Sequence, residues 1–150
     1  MNKELDDKLC ATYPKIFRDR HGDRKKTLMT FGFACGDGWY KIIDELCSKL
    51  QKIADLTGIE TIAVQIKEKF ATLRFYVSYD FSSSTLSPED QKIWCEIANN
   101  VIGMAEIKSK YTCEECGEYG EYGETRDDLG WLLTLCDKHY EEKKAERAKS

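Results

Sequence analysis

Hydrophobic positions recur at helical spacing in two stretches of the chain and alternate in a third. Trp39, Ile42, Ile43, Leu46, Leu50 and Ile53 fall three and four residues apart, which predicts a helix from about Trp39. Gly58, just past Leu56 and Thr57, is its stop. Ile93, Trp94, Ile97, Val101, Ile102 and Ala105 form the apolar stripe of a second helix running to about Lys110. Ser87-Pro88-Glu89-Asp90 opens it, with serine as cap, proline in the first turn and acids where the helix dipole favours them. Between the two, residues 60–79 read as a β-hairpin. Ile62, Val64 and Ile66 alternate with Ala63, Gln65 and Lys67; after a turn near 69–72, Leu73, Phe75 and Val77 alternate with Arg74 and Tyr76. The first set is expected on the core. The second leaves a polar and aromatic face.

The flanks are less regular. Residues 1–26 form a helical or irregular entry containing Pro14, and Leu28, Thr30 and Phe31–Phe33 have β-type composition. Gly36-Asp37-Gly38 is a turn in which Asp37 is placed to cap the following helix. Ser82–Thr85 is a loop, and no internal repeat is present. Near the C-terminus, Trp131–Leu135 reads as a strand with Trp131 in the core, and the mixed-charge run from Asp137 is a strong helix former. Gly117, Gly120 and Gly123 keep the preceding segment supple.

That last segment also carries the strongest chemical signal. Cys113 and Cys116 form one pair of soft ligands, Cys136 and His139 a second. Two pairs at this spacing, each on one turn or helix start, fit a tetrahedral Cys₃His zinc site. Thiolate and imidazole fill all four positions, so a bound zinc is structural rather than catalytic. Knuckle, hairpin and ligands at a helix start make a treble-clef-like finger. The fold expected is therefore α+β: a small antiparallel sheet, two long helices and this finger, with a core domain at 1–110 and a zinc module at 111–150 packed on it. Zinc supplies cohesion that forty residues cannot build from a core alone.

Composition narrows the function. The 150 residues suit one domain or a domain with a small appendage. No run approaches the ~18 apolar residues of a membrane span, and the first residues lack an apolar signal-peptide core, so a cytoplasmic protein is expected. The cysteine count of seven is odd; with three on the metal, Cys10, Cys35, Cys47 and Cys95 are expected as buried thiols in a reducing setting. A net charge of −4 argues against coating nucleic acid, which relies on neutralising phosphates.

Taken together, YPKIFRDRHG (13–22), FGFACGDGWYKIIDELCSKL (31–50), VQIKEKFATLRFY (64–76) and GWLLTLCDKH (130–139) with the Cys113 pair cover most of the chain. As a set, GDGW opening a helix, KEKF-x-x-LRFY on a hairpin and a terminal Cys₃His motif resemble a family of small, functionally uncharacterised proteins of tailed phages and prophages. The pattern often carries glycine where this chain has Ala71. The resemblance implies a phage accessory protein and supplies no reaction.

Candidate ligand contacts follow from the residues. Lys67, Lys69, Arg74 and Tyr76 share or adjoin the hairpin's polar face, with Phe70 at the turn; cations beside aromatic rings suit phosphate binding and base stacking, although a solvated sheet face has the same composition. Arg18 and Arg20, near His21, add charge or pair with Asp19, Asp23 or nearby acids. The amides around Asp37 and Trp39 can hold an anion at a helix start, as an alternative to simple capping. No residue order argues for a catalytic triad. The expected function is a non-enzymatic counter-defence protein that sequesters a host nucleotide-type signal or blocks a host defence protein. The alternatives are a zinc-finger nucleic-acid module, disfavoured by Glu114, Glu115, Glu118, Glu121 and Glu124, and a nucleotide-processing enzyme. Homo-oligomerisation is left open.

Overall fold

The computed structural model describes residues 1–120 and 129–150. Among these the chain is α+β, with helices α1 (Lys3–Thr12), α2 (Tyr40–Thr57), α3 (Pro88–Ser109) and α4 (Asp137–Ala148), and strands β1 (Phe33–Ala34), β2 (Glu60–Lys69) and β3 (Thr72–Asp80). The two long helices and the β2–β3 hairpin lie where the hydrophobic spacing puts them. The sheet order is β1-β2-β3, and it is mixed rather than wholly antiparallel, because the two-residue β1 joins β2 in parallel, Phe33 opposite Ile66. So short a strand leaves no alternation to detect.

The local chemistry explains the elements. Asn2 caps α1 by accepting from the Leu5 amide at 3.0 Å. Ser87 accepts from Asp90, and Pro88 occupies the first turn of α3. Gly58 ends α2 at φ 70°, a left-handed conformation that favours glycine. In the hairpin turn Phe70 and Ala71 both take positive φ, 52° and 60°, as a two-residue hairpin with matching twist requires. The Glu68 carboxylate accepts from the Ala71 amide there.

Packing departs from the alternation rule at one point. A bulge between Ala63 and Gln65 shifts the register, so Ala63 and Ile66 are buried while Ile62 and Val64 are only half-buried. Leu73 and Phe75 enter the core and Val77 sits at its edge. Helix α2 buries Ile42, Ile43, Leu46, Cys47, Leu50 and Ile53 as its spacing predicts. Helix α3 differs: Ala98 and Ile102 face the core with Trp94, Val101 and Ala105 beside them, but Ile93 and Ile97 point outward. Its side chains also cover the sheet edge, where the Leu73 amide donates to Ser109 Oγ and the Phe75 amide to Glu106.

Three further segments differ from expectation. Leu28–Phe31 is a 3₁₀ turn, capped by Thr27 and closed at Gly32 (φ 75°), not a strand. Residues 37–39 are also 3₁₀, and Asp37 does not cap α2: its carboxylate accepts from the Asn2 amide and side chain. Residues 131–135 form no strand. Thr134 bonds instead to the Cys113–Cys116 turn and to the hairpin tip, and Trp131 is 62% exposed rather than in the core. Glu121, Gly123 and Glu124 lie outside the described residues.

Candidate metal centre and the adjoining cleft

Cys113–Gly117 folds into a knuckle: the Gly117 amide donates back to the Cys113 carbonyl, and Gly117 takes φ 78°. Cys136 is the residue before α4, which puts His139 in that helix's first turn. The four ligand atoms of Cys113, Cys116, Cys136 and His139 lie within 4.8 Å of one another and can hold a metal ion. The spacing fits a small tetrahedral ion. Metal–sulfur bonds of ~2.3 Å and metal–nitrogen bonds of ~2.0–2.1 Å imply tetrahedral edges of about 3.8 Å between sulfurs and about 3.5 Å from sulfur to nitrogen. Cys116 Sγ and Cys136 Sγ are 3.9 Å apart, and Cys113 Sγ and His139 Nδ1 3.5 Å. Cys136 Sγ to His139 Nδ1 is tighter, at 3.0 Å. Nδ1 thus faces inward, while Nε2 turns toward Glu142 at 3.8 Å, an outer carboxylate that favours the tautomer a ligand needs.

The electrostatics also suit a cation. Burial works against the Cys113 thiolate, but the backbone amides of Cys136, Cys116 and Glu115 turn toward its sulfur and bring the thiol below its ordinary value. Cys136 is pushed up to about 11, by burial first and by the neighbouring Cys113 sulfur after it. Two thiolates side by side are costly without a positive ion between them. The remaining cysteines do not converge on the centre. Burial, with Asp6 hydrogen-bonded to the sulfur, raises Cys10 to about 12; burial raises Cys35 to about 12 and also raises Cys47 and Cys95.

Glu114 ties this knuckle to the rest of the chain. Its amide donates to the Thr134 carbonyl, its carbonyl accepts from the Gly38 amide at 2.7 Å, and its carboxylate accepts from the Gly36 amide at 2.9 Å. Burial raises the Glu114 pKa, which one amide contact only partly offsets. The Gly36-Asp37-Gly38 turn is therefore a docking surface for the knuckle. A Cβ at Gly38 would lie 2.2 Å from the Cys113 carbonyl oxygen, and one at Gly36 2.3 Å from that of Glu114. Trp39 is fully buried and its indole donates to the Thr112 carbonyl. Thr134 Oγ1 in turn donates to the Ala71 carbonyl at 2.8 Å. Metal knuckle, α2 start, residues 130–135 and hairpin tip are thus linked in series.

Where the hairpin tip meets residues 130–132 there is a cleft of about 440 Å³, lined by Lys67, Glu68, Lys69, Phe70, Gly130, Trp131 and Leu132. Phe70 and Trp131 are 66% and 62% exposed. Lys69 Nζ stands 5.5 Å above the Phe70 ring. Arg74 is opposite Lys67 in the register and approaches Glu106 at 3.8 Å; Tyr76, opposite Gln65, continues the same face.

The structure does not bring Arg18 and Arg20 to this cleft. Arg18 pairs with Glu60 and Asp80 at the far end of the hairpin, about 30 Å away at ~3.3 Å per residue. Arg20 forks onto Asp6 and donates to the Thr30 carbonyl, and neither arginine pairs with Asp19 or Asp23. Asp37 and Trp39 are held as described, and the Gly38 amide is bonded to protein. Trp131 was missed as a cleft residue because WLLTL is apolar except for Thr134, which leaves no regular alternation to show which side chain faces out.

Among the described residues no helix is long and apolar enough to cross a membrane. No family model, curated protein or solved structure matches this chain.

Proposed function

We propose that this chain is a non-enzymatic binding protein, stapled by one structural zinc, that captures a nucleotide-type anion in the cleft between the hairpin tip and Trp131. The observation that carries this is the pair of outward-facing rings, Phe70 and Trp131, lining one cleft with Lys67 and Lys69. Aromatic faces accept a base of any sequence, and ammonium groups at their edge accept its phosphate. Three thiols and an imidazole are the donor set zinc prefers, and they fill its four positions, leaving none for an activated water. The resemblance of GDGW, KEKF-x-x-LRFY and the terminal Cys₃His motif to tailed-phage and prophage proteins supports a setting in the bacterial host's cytoplasm. There, removing a nucleotide signal counters a defence that depends on it. Exposed Glu115 and Glu118 on the knuckle, with a mixed-charge α4, disfavour nucleic acid as the finger's ligand.

The test is calorimetric titration of the zinc-loaded chain with a panel of mono- and dinucleotides. A stacked base contributes ~1–3 kcal/mol, so Trp131→Ala weakens binding by roughly ten- to a hundred-fold. Lys67→Ala/Lys69→Ala abolishes the phosphate contribution and leaves zinc content unchanged. Heat from none of the panel removes nucleotide capture and leaves a host protein as the target.

A further inference from the structure

Two cavities beside α2 run into one another. One, of about 310 Å³, lies between α2 and α3; the other, of about 320 Å³, lies between the start of α2 and the metal knuckle. Both are lined by Ile42, Lys108 and Tyr119, so they form a single groove. From Lys41 to Lys49 it follows α2 for ~12 Å, at ~1.5 Å per residue. Buried Ile42 and Leu46 line its inner side. Met104, Ile107, Tyr111 and Tyr119 line it too, yet remain 68%, 55%, 40% and 67% exposed. Large apolar side chains left open around one concavity of this size mark a ligand groove. It shares no lining residue with the cleft at Trp131.

The groove is polarised along its length. The half between the long helices is apolar, and its one carboxylate, Glu45, is spent on Lys108 at 2.7 Å. The half against the knuckle is lined by Lys41 and Lys108 and by no acid. Lys41 has no ion-pair partner among the described residues, so a free ammonium stands where the apolar surface ends. Such a spot attracts an anion even in a chain of net charge −4. The occupant this complements is a molecule with an apolar length and one negative end. The metal turn also builds the charged end. Gly117, which lines it, donates its amide to the Cys113 carbonyl, and Tyr119 bridges to Thr112.

We propose that this groove is a second ligand site, for a medium-chain alkyl carboxylate whose chain lies along Ile42, Leu46 and Met104 and whose head group meets Lys41. The test is calorimetric titration of the zinc-loaded chain with hexanoate, octanoate and decanoate. One site per chain is expected, and each added methylene tightens binding about three- to four-fold while the groove fills, at ~0.8 kcal/mol per buried methylene. Decanol, the same chain without the charge, binds several-fold more weakly, as loss of one exposed ion pair implies. Lys41→Ala weakens decanoate by a similar factor and leaves decanol unchanged, whereas Lys49→Ala, at the apolar end, alters neither. Met104→Asp puts a charge against the chain and weakens both more than ten-fold, with zinc content and far-ultraviolet dichroism unchanged. Trp131→Ala leaves all of these affinities as they were. Binding of none of the three carboxylates, or binding indifferent to Met104→Asp, overturns the proposal. Decanol bound as tightly as decanoate, or a loss at Lys49→Ala and none at Lys41→Ala, overturns the placement of the head group.

Discussion

Gly38→Ala tests whether the metal knuckle docks on the turn that opens α2. Gly38 has no positive φ, so its need for glycine is one of space alone. The added methyl would sit 2.2 Å from the Cys113 carbonyl oxygen and 2.6 Å from both the Glu114 oxygen and the Gly117 amide, all backbone atoms. Backbone cannot rotate away as a side-chain tip can, so the knuckle has to retreat by about 1 Å to reach ordinary contact. Retreat breaks the bond from the Gly38 amide to the Glu114 carbonyl and loosens that from the Trp39 indole to Thr112. Leaving a buried donor unpaired costs ~1–3 kcal/mol and weakening the second bond ~0.5–1.5, against a gain of ~0.5–1 from replacing glycine. The net loss spans about 0.5–4 kcal/mol, with its midpoint near 2. At ~2–4 °C per kcal/mol for a chain of this size, the midpoint loss lowers Tm by about 4–8 °C. Thermal melts of the zinc-loaded protein read it directly. Gly103→Ala is the companion: no atom lies within 4 Å of its added methyl, so Tm holds or rises. A Gly38→Ala variant melting within about one degree of the parent would refute the docking argument.

Other perturbations have equally definite outcomes. Arg20→Ala strands Asp6 in a buried position and lowers unfolding free energy by about 3 kcal/mol in urea titrations; Arg20→Lys does not restore it, since an ammonium cannot fork onto both carboxylate oxygens. Chelation, or Cys116→Ser, red-shifts tryptophan emission by releasing Trp39, whose indole is anchored one residue from the first ligand. Glu60 is held below its ordinary 4.5, first by its hydrogen bond to Lys15 and then by Arg18. The unfolded chain therefore takes up that proton at higher pH than the folded one. The contribution is whole above pH 4.5 and fades as pH falls through the lowered value, so Glu60→Gln flattens the acid side of the stability profile. With zinc bound, Cys10, Cys35 and Cys47 resist iodoacetamide at pH 8 until the chain unfolds, because their thiols stay protonated.

What the sequence revealed and what it hid divide along physical lines. Local signals were legible: Ser87-Pro88 at the start of α3, Gly58 after α2, and the two ligand pairs that spacing alone marks out, because each depends on near neighbours in the chain. Tertiary signals were not. Gly36 and Gly38 look like turn residues until Glu114 is seen against them, seventy-eight residues from Gly36. The bulge at Val64 moves Ala63 into the core in place of two larger residues, which no period-two count anticipates. Helix α3 offers two apolar stripes, and only packing shows that Ile102 faces the core and Ile97 does not. The candidate ligand residues split likewise: Lys67, Lys69 and Phe70 are neighbours in sequence and share a cleft, whereas Arg18 and Arg20 were grouped by charge and are held elsewhere by acids distant in the chain.

Native mass spectrometry of untagged protein, purified from a bacterial host without chelator, tests the central claim most directly. One zinc per chain is predicted, together with an adduct of nucleotide mass that Trp131→Ala loses while keeping its zinc. Chains without zinc, from a preparation whose fold is intact, would contradict the account at its base.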